Sequence, residues 1–202
     1  MIKIFKHLTP LFIVQFFTWL GLFALWIYAT PVITRYFFNT TDAESVAFEN
    51  GTTWVGVCFA FYSTLAAILA FGIPKFFKYT SKEYLHAIAL IIGSIGLLLI
   101  YFIKNKYLLF ISFSFIGIGW SSIGNIPYTI IGTIAPEEKM TTYFAIFNFS
   151  VVIPQITAAF LLGYINKHFF GGETIYIMLV GGISMLIAGI IMFFIKAKPL
   201  TN

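Results

Sequence analysis

The side chains with chemical potential in this sequence are neutral. They sit inside apolar segments at spacings that gather them on helical faces. Asn125 follows Gly117 and Ser121 at intervals of four, with Trp120 and Tyr128 alongside and Pro127 two residues on. Thr141, Asn148 and Gln155 lie seven apart, which places them on one face of a helix, and Pro154 adjoins Gln155. Gln15, Trp19, Leu22 and Trp26 form a third stripe. A carboxamide offers both donors and acceptors, so two on one face suit the recognition of hydroxyl groups. Indole rings beside them offer flat apolar surfaces for C–H stacking. Amides with indoles are the equipment of a sugar pocket, and Trp120, Asn125, Asn148, Gln155, Gln15 and Trp26 are the candidate substrate contacts. A blander arrangement competes with this. Gly117 and Ser121 would mark a close helix contact, Asn125 would bond between helices, the 148–155 stripe would be a polar packing seam, and Trp19 and Trp26 would face lipid.

Ionisable residues are placed very differently. All seven acids, Asp42, Glu44, Glu49, Glu83, Glu137, Glu138 and Glu173, fall between or at the ends of apolar segments. Acids within a membrane are the usual carriers of proton relays, and none is expected at mid-membrane here. His7, His86 and His168 also lie at segment ends and read as interfacial. Cys58 is a single cysteine within an apolar run, so it excludes an internal disulfide framework and a CxxC metal site and reads as a buried, inert thiol. No GxGxxG, P-loop, HExxH or Gly-x-Ser-x-Gly occurs. No enzyme activity, metal or cofactor is expected.

The elements that must position these residues are set by composition. Of the 202 residues, 60% are apolar and 9% charged, and the mean hydropathy is +0.95. A soluble domain carries roughly 25% charged residues, so this chain lacks the charge to cover a water-facing surface. Helices of about 20 apolar residues cross a bilayer. Six such segments stand out, at roughly 8–30, 54–73, 84–103, 107–133, 142–165 and 175–195. The alternating segments of about ten residues that mark a β-barrel are not seen. The expected fold class is an all-α membrane protein, a single bundle of six transmembrane helices. Lys3 and Lys6 precede the first segment, which is too long for a cleavable signal and lacks an A-x-A site. The longest polar connection is expected from Arg35 to about Thr53.

Net charge is +5. In a soluble protein that would suggest a nucleic-acid partner; at helix ends it reads as topology and contact with lipid headgroups. With the N-terminus inside, Lys3, Lys6, Lys75, Lys78, Lys82, Lys139, Lys196 and Lys198 are cytoplasmic. Arg35, Lys104, Lys106 and Lys167 are then outside. The positive-inside rule favours this orientation. An even number of spans then puts both termini in the cytoplasm, as expected for a multi-pass protein of the inner (plasma) membrane.

The longer runs resemble a known family. Residues 117–122 (GIGWSS) with 125–128 (NIPY) are similar to the tenth helix of sucrose/maltose-type disaccharide:cation symporters of the major facilitator superfamily. Residues 135–140 (APEEKM) resemble the loop after that helix, and 147–155 (FNFSVVIPQ) the eleventh helix. Residues 15–19 (QFFTW) and 26–31 (WIYATP) look like the seventh, and 54–57 (WVGV) the start of the eighth. The likeness runs in order along the chain and covers one half of that twelve-helix architecture. It departs at 72–82 (GIPKFFKYTSK), which has no acid at Lys75, so the family's gating salt bridge is not expected there. The resemblance implies one half of a major facilitator fold, with substrate held between two six-helix halves near the midplane. It implies a secondary, proton-coupled transporter of a di- or oligosaccharide working by alternating access, with the coupling acid on the other half. The second half would be a separate N-terminal six-helix chain, or a second copy of this one. The alternative is a non-transporting assembly partner, or an inactive truncated half.

Overall fold

A computed structural model describes residues 2–196 of the chain, with side chains from Leu8 onward. The side chains of Lys3, Lys6 and His7, and the whole of Lys198, lie outside the described residues. The described residues are helical and contain no strand. In chain order the helices are α1 (Ile2–Phe37), α2 (Val46–Phe76), α3 (Lys82–Phe102), α4 (Leu109–Ile123), α5 (Ile126–Ile134), α6 (Met140–Phe169) and α7 (Ile175–Phe193). Single 3-10 turns lead into α4 (Lys106–Leu108) and α6 (Glu137–Lys139). Counting α4 and α5 as one crossing, six segments are long and apolar enough to span a bilayer, as in a multi-pass membrane protein.

Two sequence expectations change in detail. The polar connection expected at 35–53 shortens to residues 38–45. α1 runs on through Pro31, and α2 starts at Val46, where Ser45 caps the helix by accepting the Phe48 N–H at 3.2 Å. Asn39 adopts a left-handed conformation, φ 54°, and the Thr40 N–H turns back to the Thr34 carbonyl. That geometry closes α1. The fourth expected segment is broken. Pro127 has no N–H to give to the helix. The Asn125 N–H reaches the Ser122 carbonyl in a tight turn, and the Asn125 side-chain amide donates to the Ser121 carbonyl at 2.7 Å. α4 therefore ends at Ile123 and α5 starts afresh at Ile126. Pro154 has no such effect, and α6 continues through it.

Packing between the helices relies on small residues, as expected where lipid gives no hydrophobic drive for association. Gly93 of α3 meets Gly119 of α4 so closely that a Cβ on Gly119 would lie 3.0 Å from the Gly93 Cα. Gly21 of α1 and Gly181 of α7 pair in the same way, with 2.7 Å left for a Cβ on Gly21. Ser184 of α7 donates to the Phe17 carbonyl at 2.7 Å. α7, α3, α4, α2 and α1 close a ring by successive contacts, α6 rests on α1, and α5 touches its neighbours lightly. Burial is correspondingly uneven. The best spanning windows of α1 and α7 are 56% buried, against 33% for α6 and 22% for α2. α2 and α6 are the helices with the most uncovered surface.

At the end assigned to the outside, Arg35 pairs with Glu173, and the Tyr36 hydroxyl donates to the same carboxylate. Lys106 lies over the rings of Phe38, Trp54 and Tyr107, at 4.6, 5.5 and 5.4 Å from their centroids. These contacts tie the ends of α1, α2 and α4 and the α6–α7 turn together.

Candidate functional site

The indoles gather first. Trp19 and Trp26 lie seven residues apart on α1, and Trp120 of α4 meets both edge-on, with centroids at 6.0 and 5.5 Å. Phe23 completes the cluster at 5.4 Å from Trp26. The Trp26 indole N–H donates to the hydroxyl of Tyr62 on α2 at 3.2 Å. One aromatic surface thus joins three helices. Trp26 and Trp120 are half-buried and keep part of their faces open, while Trp19 is buried. Tyr62 was not singled out from the sequence. Its signal was the buried i, i+4 series Cys58, Tyr62, Ala66, and Gly117 packs directly on its backbone, leaving 2.9 Å for a Cβ.

The carboxamides divide into two groups. Asn125, Asn148 and Gln155 are all exposed. Asn125, in the break, spends one amide hydrogen on the Ser121 carbonyl of α4, four residues back, and reaches no other helix. Asn148 and Gln155 make no hydrogen bond within the described residues. On α6 they share a side with Phe144, whose ring stacks on Tyr128 of α5 at 6.2 Å. Two of the exposed amides thus share one side of α6, and the third lies at the α4–α5 break. The buried stripe of α6, with Phe147, Ser150 and Pro154, turns the other way, onto α1.

Gln15 is different. It is 1% exposed, and neither its amide nitrogen nor its amide oxygen has a partner among the described residues. It lies one helical turn from Trp19, whose indole N–H is likewise buried and unpartnered, as is the hydroxyl of Thr18. The structure brings Trp26 and Trp120 together. It leaves Asn125, Asn148 and Gln155 on an open face and Gln15 inside the bundle.

His86 departs from its expected interfacial place. It is fully buried on α3, with Nδ1 2.6 Å from the hydroxyl of Ser122. Sequence position put it near a helix start; the packing of α3 against α4 puts it inside. His168 is exposed, as a surface position requires. Cys58 is a free, fully buried thiol. Among the described residues no cluster of His, Cys, Asp and Glu could hold a metal ion.

The residues at this site can stack on and hydrogen-bond a neutral polar molecule; they offer no charged nucleophile or paired acids. A scan against protein-family models finds no match to this chain, and a search of curated proteins finds none either.

Proposed function

We propose that this chain is one half of a secondary sugar transporter of the inner membrane, resembling the C-terminal half of a disaccharide:cation symporter. The observation that supports it most is the open amide face. Three carboxamides are exposed, Asn148 and Gln155 on α6 and Asn125 at the α4–α5 break, in a bundle that also holds the half-buried indoles of Trp26 and Trp120. A polar group in contact with hydrocarbon loses its hydrogen bonds at a cost of several kcal/mol. That face is therefore best satisfied by water and substrate in a central cavity.

A second six-helix body would close the cavity. α2 favours this, because Thr53, Gly56, Ala60, Ser63 and Ala67 form an exposed line of small residues at helical spacing. Such lines allow close approach of another helix in lipid. A separate chain is the better partner than a second copy. The described helices carry acids only in their first turns, so a homodimer would bring no coupling carboxylate to mid-membrane. In this reading Trp26 and Trp120 stack on the sugar, while Asn125, Asn148 and Gln155 bond its hydroxyls. The α4–α5 break would supply bending during alternating access.

The test is uptake of labelled sucrose and maltose into proteoliposomes holding this chain with the product of the adjacent upstream gene. Asn148→Ala with Gln155→Ala is expected to cut uptake by at least tenfold, as loss of two hydrogen bonds of about 1 kcal/mol each requires. Full uptake by the double variant sinks the pocket. Sugar binding and uptake absent from every pairing would favour a non-transporting assembly partner, which the uncovered faces of α2 and α6 also fit.

A further inference from the structure

A second feature lies on the other side of α2. Leu69, Ile73 and Phe76 occur at i, i+4 and i+7 and face away from the small-residue line at 56–67. With Leu85 and Ala89 of α3 and Ile126 of α5 they line a cleft of about 250 Å³. The cleft exists because α2 packs on α1 and α4 and leaves a gap beside α3. Its walls are almost wholly apolar. From Leu69 to Phe76 it runs about 10 Å along the helix axis, at 1.5 Å per residue. That is about a third of the hydrocarbon core.

A second, polar hollow lies nearer the helix ends, about a turn along from the cleft on α3 and α5. Thr80, Ser81, Lys82, Glu83 and Thr133 line it beside Phe77 and Ile130, with a volume of about 280 Å³. The Lys82 ammonium donates to the Thr133 hydroxyl at 2.7 Å and keeps two further N–H donors. Ser81 caps α3, so the first backbone N–H groups of a 21-residue helix also open here. Lys75 in the last turn of α2 and Lys78 in the connection are also exposed, so this end carries three lysines and one acid, Glu83. Tyr79, 85% exposed, stands at this level in the manner of an interfacial aromatic. The lysine bias assigns this end to the cytoplasmic leaflet.

An apolar slot with a lysine- and hydroxyl-lined hollow about a turn beyond it has the polarity of a lipid molecule. We propose that it binds one anionic phospholipid of the cytoplasmic leaflet. The upper acyl chain lies between α2 and α3, and the phosphate sits at Lys82 with Lys78 and the start of α3. The lysine excess selects an anionic headgroup over a zwitterionic one, because each lysine near the surface contributes about 1 kcal/mol toward anionic lipid. The bound chain fills the gap between α2 and α3 and covers the floor where α4 gives way to α5. It is independent of what the amide face binds.

Native mass spectrometry of the purified full chain in detergent tests this, with palmitoyl-oleoyl phosphatidylglycerol or phosphatidylcholine added at equal concentration. The wild type is expected to retain phosphatidylglycerol preferentially. Lys78→Gln with Lys82→Gln should weaken that retention by about fivefold per lysine. Leu69→Trp, which fills the slot, should abolish it while leaving the lysines intact; if that variant loses its cooperative melt, Leu69→Phe serves. Equal retention of the two lipids by the wild type overturns the proposal. So does unchanged retention in the lysine variant, or in a folded slot-filling variant.

Discussion

His86 and Ser122 form a contact that only their side chains explain. The ring nitrogen and the hydroxyl are 2.6 Å apart in a fully buried setting, at the last turn of α4 before the break. In a low-dielectric interior an orphaned polar group costs more than the bond it lost. Ser122→Ala should therefore destabilise the bundle by about 1–3 kcal/mol. Adding His86→Leu to that variant should restore much of the loss, since both polar partners are then gone. Denaturation of the single and double variants in detergent measures this. A double variant no more stable than Ser122→Ala would show that the imidazole packs there without needing its partner.

The helices are held by approach distance. Gly96 of α3 is packed so tightly on α4 that a Cβ would lie 2.6 Å from the Ser112 carbonyl and 2.9 Å from the Ile116 amide nitrogen. Both are backbone atoms and cannot swing aside. Gly96→Ala should cost about 1–3 kcal/mol through forced separation of α3 and α4. Gly56→Ala on α2 is the control, because a Cβ there meets nothing within 4 Å. It should be neutral in the isolated chain or stabilise the helix by up to about 1 kcal/mol. Thermal melting of the two variants distinguishes them, and equal melts would contradict the packing described. If the line at 56–67 is where a second six-helix body docks, Gly56→Ala should weaken co-purification of that partner while leaving the isolated chain intact. The α4–α5 break belongs to this scale too. Pro127 was visible in the sequence, yet 107–133 read as one segment; the break shows only in the structure, where Pro127 opens α5 and the Asn125 amide turns back to the Ser121 carbonyl of α4.

Across the whole molecule, the decisive question is what wets the amide face. Cys58 is the single cysteine and is buried, so it gives a silent background for labelling. A membrane-impermeant maleimide should react with Gln155→Cys in the assembled protein, at a rate that saturating sugar lowers. It should leave Ile68→Cys, on the exposed apolar surface of α2, unreacted. Protection of Gln155→Cys under all conditions would place that face against acyl chains and remove the basis for a sugar site.

Much of this was written in the sequence. Long apolar runs cannot fold in water with 9% charge, and buried backbone in lipid must be helical, so composition and run length determined six crossings. Heptad spacing also determined that Asn148 and Gln155 share a side of α6, because the helix repeat leaves no choice. Which way that side points is another matter. Periodicity says which residues face together and is silent on the neighbour they face. Only the packing of α6 on α1 turned the two amides outward, and only the approach of α4 to α1 brought Trp120 onto Trp19 and Trp26. The same limit applies to Gln15, which shares its stripe with the half-buried Trp26 yet ends up enclosed. His86 shows it most sharply: distance from a helix end is a property of the chain, whereas burial is a property of the bundle.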